Sequence, residues 1–359
     1  MSHPTAGSPL PLIDGLKAVA CQAIVLHHLA FYGPMSDATM ALAPDLVRWF
    51  SADARMAVQV FLVVAGFLAA RSLAPDGVLL ATPPARLLWQ RYLRLALPFA
   101  AALAVAIGCS ALAERWMDHD SIPPPPGAWQ LVAHALLLHS LLDVESLTAG
   151  AWYVAIDLQL FALLLGLLWL ARAARLSARA LVAAVAVASL WHFNRDSDWD
   201  VWALYFFGAY GLGAMAWWCT RPAAGPAGRR WLVALALLAV GALAIDFRER
   251  IALALTTALL LAASVHTPVL HAWARHAAVA YAARISYAVF LLNFPIALVV
   301  NAAFARFAPA DPWVQTGGVL LAWLACNVAG AFFYRAVERP LDRWMRAPRL
   351  SGPAPRPAR

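Results

Sequence analysis

Residues 55–74 read RMAVQVFLVVAGFLAARSLA, twenty residues whose only charges are Arg55 at the start and Arg71 near the end. A helix rising about 1.5 Å per residue needs about 20 residues to cross about 30 Å of hydrocarbon, so this stretch reads as a membrane span. The same window finds nine others, at 12–32, 91–113, 151–171, 177–193, 200–219, 230–246, 250–266, 285–305 and 314–337. The composition agrees. Of the 359 residues 63% are apolar and 13% charged, where soluble domains hold about 45–50% and about 25%. With a mean hydropathy of +0.69, the surplus exceeds what a water-soluble enzyme buries. The fold expected is all-α, a polytopic transmembrane helix bundle of about ten spans.

An eleventh apolar stretch, 128–142, is short, follows the tetraproline Pro123 to Pro126 and contains His134 and His139. It is expected to be lateral or re-entrant, because a crossing there would turn the cluster Arg172, Arg175 and Arg179 outward, against the inside-positive bias of membrane proteins. With ten crossings and both termini cytoplasmic, 20 of the 27 basic residues face inward and 14 of the 19 acidic residues lie in outer loops. The net charge of +8 is then loop topology and not a signature of nucleic-acid binding. One membrane domain is expected over 1–346, with a disordered basic tail over 347–359. Asp14 and Lys17 interrupt the first apolar run, so no cleavable leader is read there. Cys21, Cys109, Cys219 and Cys326 sit in separate apolar runs and read as packing residues, and no spacing suits a metal.

Ionisable groups inside spans are costly and mark functional candidates. Asp14, Lys17, Cys21 and His28 are separated by 3, 4 and 7 residues, which at about 100° per residue places them on one stripe of the first span. Counted from the span ends, His28, Gln59 and Asp157 fall in one layer near the outer face. An imidazole with a carboxylate suits proton transfer, and His28 is the candidate general base with Asp157 orienting it. The same pair equally suits capping of interfacial backbone. Toward the inner face, Arg91 and Arg94 lie one turn apart below Pro98, with Lys17 and Arg71 on the same side. Two guanidiniums so placed suit bidentate phosphate binding, and they equally suit snorkelling to lipid headgroups.

Several strings together carry a resemblance. Asp14-Gly15-Leu16-Lys17-Ala18 through His28, Val60 to Leu68, Arg91-Tyr92-Leu93-Arg94 with Pro98, and Trp152-Tyr153-Val154 with Asp157 and Gln159 are similar to the acyltransferase 3 family. So are Ile285-Ser286-Tyr287 through Asn293-Phe294-Pro295 and the closing Glu338-Arg339-Pro340. The ordered set runs from residue 14 to about 344. Three positions depart from the family: Ala65 stands where Ser is frequent, Asn293 where His is frequent, and Asp157 where Glu is frequent.

The resemblance implies a stand-alone, multi-pass enzyme of a bacterial-type inner membrane that moves an acyl group, commonly acetyl, from cytoplasmic acyl-CoA to a hydroxyl of an extracytoplasmic carbohydrate. It implies no bound cofactor, with acyl-CoA as co-substrate and membrane lipid and a glycan acceptor as partners. In the family the residue matching His28 is the base and those matching Arg91 and Arg94 are linked to the donor. Lys17 and Arg71 are expected to assist the donor. Asp14, Gln59, Asn293, Trp152 and Glu338 are expected to support the site. The alternatives are a transporter of a lipid-linked sugar, polysaccharide or organic ion, for which an intramembrane His and Asp suit proton coupling, and a catalytically altered family member.

Overall fold

The computed structural model describes residues 10–265 and 267–346. Each of the ten apolar windows falls on a helix. These are α1 (Pro11–Phe31), α2 (Val58–Leu73, entered through a turn at Ala54–Ala57), α3 (Pro84–Ala113), α4 (Ala151–Ala174), α5 (Ala178–Trp191), α6 (Ala203–Thr220), α7 (Gly225–Ile245), α8 (Glu249–Ser264), α9 (Ala277–Phe307) and α10 (Pro312–Phe333). Among the described residues there is no strand. The expected tail at 347–359 and residue 266 lie outside the described residues.

Local chemistry sets where the helices begin. Prolines at the first helical position open α1, α3 and α10, where no backbone donor is needed. Asp311 caps α10, accepting from the backbone N–H of Trp313 and Val314 at 2.9 and 3.1 Å, and the Ser177 hydroxyl caps α5.

Among the described residues, seven helices are long and apolar enough to cross a membrane, counting the entry turns of α2 and α7 and the continuation of α10. The other three are α5, α6 and α8, with 14, 18 and 16 residues. α6 is buried without interruption from Tyr205 to Cys219, and its tyrosines and tryptophans face protein. It packs against α2, α5, α8, α7 and α4, while α1, α3 and α10 pack against α9. At Gly66 of α2 an added Cβ would lie 1.9 Å from the carbonyl oxygen of Tyr210, and at Gly213 of α6 it would lie 1.9 Å from that of Val63. The two backbones touch there, as small residues allow between membrane helices.

The first and last described helices meet at one end. A short helix, Arg339–Arg346, places Asp342 at 4.0 Å from Arg94, and Glu338 lies within electrostatic reach of Lys17. Residues 10–346 therefore begin and end on the same side of the bundle. This end, to which the basic loops belong, is called the basic end below.

Two helices are much longer than the hydrocarbon. α3 and α9 have 30 and 31 residues, about 45 Å each, so they tilt or project. The stretch after α3 returns into the bundle. Pro123 to Pro126 pack beside Ile107 and Glu114 near the far end of α3, and a helix at Ala128–Ala135 then descends until Ala135 accepts a 2.8 Å hydrogen bond from the Tyr92 hydroxyl. Tyr92 lies only eight residues into α3 from the basic end. The segment turns back along α3 toward the basic end. Its His134 is held on both ring nitrogens, one on the Gln130 carbonyl at 2.8 Å and the other accepting from Leu147 N–H at 3.1 Å.

Candidate active site

His28 lies one turn before the end of α1 and is 7% exposed. Its Nδ1 hydrogen-bonds the side-chain oxygen of Asn293 on α9. The direction of that bond follows from the rest of the network. The Asn293 amide nitrogen donates to the carbonyls of Phe290 and Val289 at 2.7 and 3.2 Å. Its Oδ1 is therefore an acceptor only, and Nδ1 of His28 carries the proton. The lone pair is on Nε2, which makes no hydrogen bond among the described residues. Tyr32 and Phe294 stand edge-on to the imidazole, with ring centroids at 5.6 and 6.4 Å, and they hold its plane. The Cys326 thiol donates to the Asn293 carbonyl at 3.2 Å, which fixes α10 to the same turn.

Asp157 is not the partner of His28. It faces Arg91, one guanidinium nitrogen of which donates to both carboxylate oxygens at 2.7 and 2.6 Å. The Asp157 side chain is 8% exposed and that of Arg91 24%. The hydroxyls of Tyr153, Tyr210 and Tyr287 lie within electrostatic reach of the pair, and the Tyr287 hydroxyl donates to the Leu95 carbonyl at 3.2 Å. Arg91 Nε and the Tyr210 hydroxyl are buried without a hydrogen-bond partner among the described residues.

The expectation of one outer layer holding His28, Gln59 and Asp157 is thus corrected, and the reason is helix length. The apolar window put Arg91 at the first residue of its span, whereas α3 begins at Pro84, so Arg91 is about 10 Å from the helix start. Asp157 is six residues into α4 from the other side, and the two side chains meet in the middle. The expected separation of most of a bilayer between arginines and His28 is corrected by the same fact. Tyr287, beside the pair, precedes Asn293 by six residues of α9, about 9 Å. His28 itself is deep, because α9 continues fourteen residues, about 21 Å, beyond Asn293.

Nor do Arg91 and Arg94 act as one clamp. Arg91 turns to Asp157, while Arg94, 57% exposed, turns to Asp342 at the basic end. There Lys17 makes no hydrogen bond among the described residues, and its charge is met by Asp14 and Glu338. Glu338 closes a π-helical turn, Tyr334–Glu338, with one carboxylate oxygen buried and unpartnered; such turns recur at functional sites. Arg71 stands apart from this group, over the Trp217 ring at 5.6 Å. Gln59 is buried, with an amide that makes no hydrogen bond among the described residues. Trp152 is half-buried and packs on Phe206, centroids 5.8 Å apart.

The sequence reading missed Asp342 and Tyr210, and it named Tyr153 and Tyr287 as carriers of the resemblance without giving them a place in the site. The three tyrosines were legible in principle as hydroxyls inside apolar windows, and Asp342 as the one acid of a short basic helix.

Residues 10–332 match the family model described as an acyltransferase domain. Comparison with curated proteins and with solved structures gave no match.

Proposed function

Because the chain belongs to the acyltransferase 3 family of multi-pass membrane acyltransferases, we propose that it transfers an acetyl or similar acyl group from acyl-CoA to a hydroxyl of a carbohydrate, with His28 as general base. The observation that carries this reading is the hydrogen bond of His28 Nδ1 to the Asn293 side-chain oxygen, with Nε2 unengaged among the described residues, from which the bare Nε2 follows. Nε2 takes the acceptor's hydroxyl proton as its oxygen attacks the thioester carbonyl. The carbon–sulfur bond breaks, the leaving thiolate takes that proton from the imidazolium, and the products are the ester and free CoA. Asn293 supplies the fixed tautomer that a carboxylate supplies in many His-based sites. Its carbonyl dipole points at the Nδ1 proton and favours the imidazolium that forms.

In this reading the basic end faces the cytoplasm of a bacterial-type cell and admits the donor, and the acceptor arrives from the far end. The acyl group then has to reach only the middle of α9, since that is where Asn293 lies. The Arg91–Asp157 pair belongs to the wall below that point and orders the helices carrying it, instead of gripping phosphate.

The test is acyl transfer by purified protein in lipid vesicles, with isotope-labelled acetyl-CoA and candidate glycans, the product identified by mass. The wild type is expected to form an ester, and a folded His28→Ala variant to lose about 10²–10⁴-fold in turnover, the contribution typical of a positioned general base. Wild-type turnover in that variant would remove His28 from the chemistry.

A further inference from the structure

Four arginines from four helix ends converge on the loop that joins α2 to α3. Arg221, just after α6, bonds Asp76 at 3.1 Å and lies 5.0 Å from the Trp217 ring centroid. Arg71 lies on the same ring at 5.6 Å and within electrostatic reach of Arg221. Arg172, in the last turn of α4, donates to the Leu80 carbonyl at 3.2 Å. The guanidinium of Arg179, on α5, lies against Gly77, 3.4 Å from where a Cβ would stand. Gly77 has φ +82°, a conformation glycine adopts without strain, and this brings the loop backbone close to Arg179. The loop itself is fixed, since the indole N–H groups of Trp217 and Trp218 donate to the carbonyls of Pro75 and Ala74 at 3.1 and 2.7 Å.

Arg172, Arg179 and Arg221 bring three positive charges to this loop. Asp76 is the one acid of the loop and is itself largely exposed. Two donors are unused: Arg221 Nε is buried without a partner, and half-buried Arg179 makes no hydrogen bond among the described residues. The other cationic group of this end differs, since Lys17 and Arg94 are faced by Asp14, Glu338 and Asp342. An anion arriving at the basic end therefore meets the unbonded, half-exposed guanidinium of Arg179 in the first place and carboxylates in the second. Planar guanidiniums match phosphate oxygens in pairs, and an indole beneath them keeps them apart and oriented.

We propose that Arg71, Arg172, Arg179 and Arg221 form a binding patch for phosphate esters, filled by the phosphates of the acyl donor or by an anionic lipid headgroup. The choice of the donor rests on the function proposed above; the phosphate patch does not.

The experiment uses full-length protein in nanodiscs. In discs of phosphatidylcholine, binding of coenzyme A is measured by calorimetry for the wild type, Arg179→Gln and Arg172→Gln/Arg179→Gln. Neither variant breaks the Arg221–Asp76 pair. Arg229→Gln/Arg230→Gln, an equal loss of charge elsewhere on this end, is the control. Retention of phosphatidylglycerol is measured on the same proteins by native mass spectrometry. Coenzyme A affinity falling about tenfold or more in the patch variants but not in the control establishes the donor as occupant. Unchanged coenzyme A binding with phosphatidylglycerol lost only from the patch variants establishes the lipid headgroup. Patch variants that match the control in both measurements overturn the proposal. His28→Ala is expected to bind coenzyme A like the wild type. If the wild type transfers no acyl group while either ligand still depends on the patch, the function reading fails and the patch stands.

Discussion

Replacing Asp157 by Asn should destabilise the bundle by about 3–5 kcal/mol, the usual cost of leaving one member of a buried ion pair alone. The structure puts this change near the upper part of the range. Both oxygens of Asp157 are bound by one guanidinium nitrogen, and Arg91 Nε already has no acceptor among the described residues, so the arginine would lose its charge partner and have no other within bonding distance. Removing both charges is a different perturbation. Arg91→Met with Asp157→Leu keeps the volume and strands no charge, and such exchanges are often neutral or better. The double variant is expected within about 1 kcal/mol of the wild type, a coupling of several kcal/mol between the two sites. Thermal unfolding of the wild type, Arg91→Met, Asp157→Leu and the double variant in one detergent at one pH measures it. A double variant as unstable as the two single losses added together would refute the pairing.

Other consequences follow from packing. Gly66→Ala and Gly213→Ala should each sharply lower the yield of folded protein and its midpoint of unfolding, because the new Cβ meets backbone on the facing helix. Gly108→Ala, with nothing within 4 Å of its Cβ position, should be neutral or stabilise by up to about 1 kcal/mol; unfolding scans of all three decide. His139 stacks on His134 at 4.3 Å, with both ring nitrogens buried and unpartnered. The folded protein keeps that ring neutral, whereas the unfolded chain protonates it below about pH 6.5. The unfolded state then binds more protons, so stability falls as pH drops through that range. His139→Phe should keep the stack and weaken the acid loss in unfolding scans between pH 7 and pH 5; an unchanged pH dependence would contradict this.

Much of this arrangement was legible in the chain, and the part that was not has a common cause. Hydropathy windows found ten helices because apolar runs of span length mark helices in a membrane protein. The stripe of Asp14, Lys17, Cys21 and His28 also holds, since Lys17 and His28 both face inward from α1. Depth failed. A window stops at charge, so it began the third span at Arg91 and the ninth at Ile285, whereas α3 starts at Pro84 and α9 at Ala277. Those extra turns carry Arg91 to Asp157 and put Asn293 near the middle of its helix. Asn293 was seen as a supporting residue but not as the partner of His28, because spacing along one helix gives no rotation relative to another. Arg172, Arg179 and Arg221 were read as topology alone, since their meeting at the loop of Asp76, Gly77 and Leu80 depends on three helix ends packing around it.

The claim on which the account turns is that Asn293 holds a proton on Nδ1 of His28 and leaves Nε2 to accept one. Nitrogen-15 NMR of histidine-labelled protein in lipid at neutral pH, with the His28 signal assigned by its loss in His28→Gln, reads that tautomer directly. The account predicts a protonated Nδ1 and a bare Nε2 in the wild type, and loss of this fixed tautomer in Asn293→Ala. A proton on Nε2 in the wild type would contradict it.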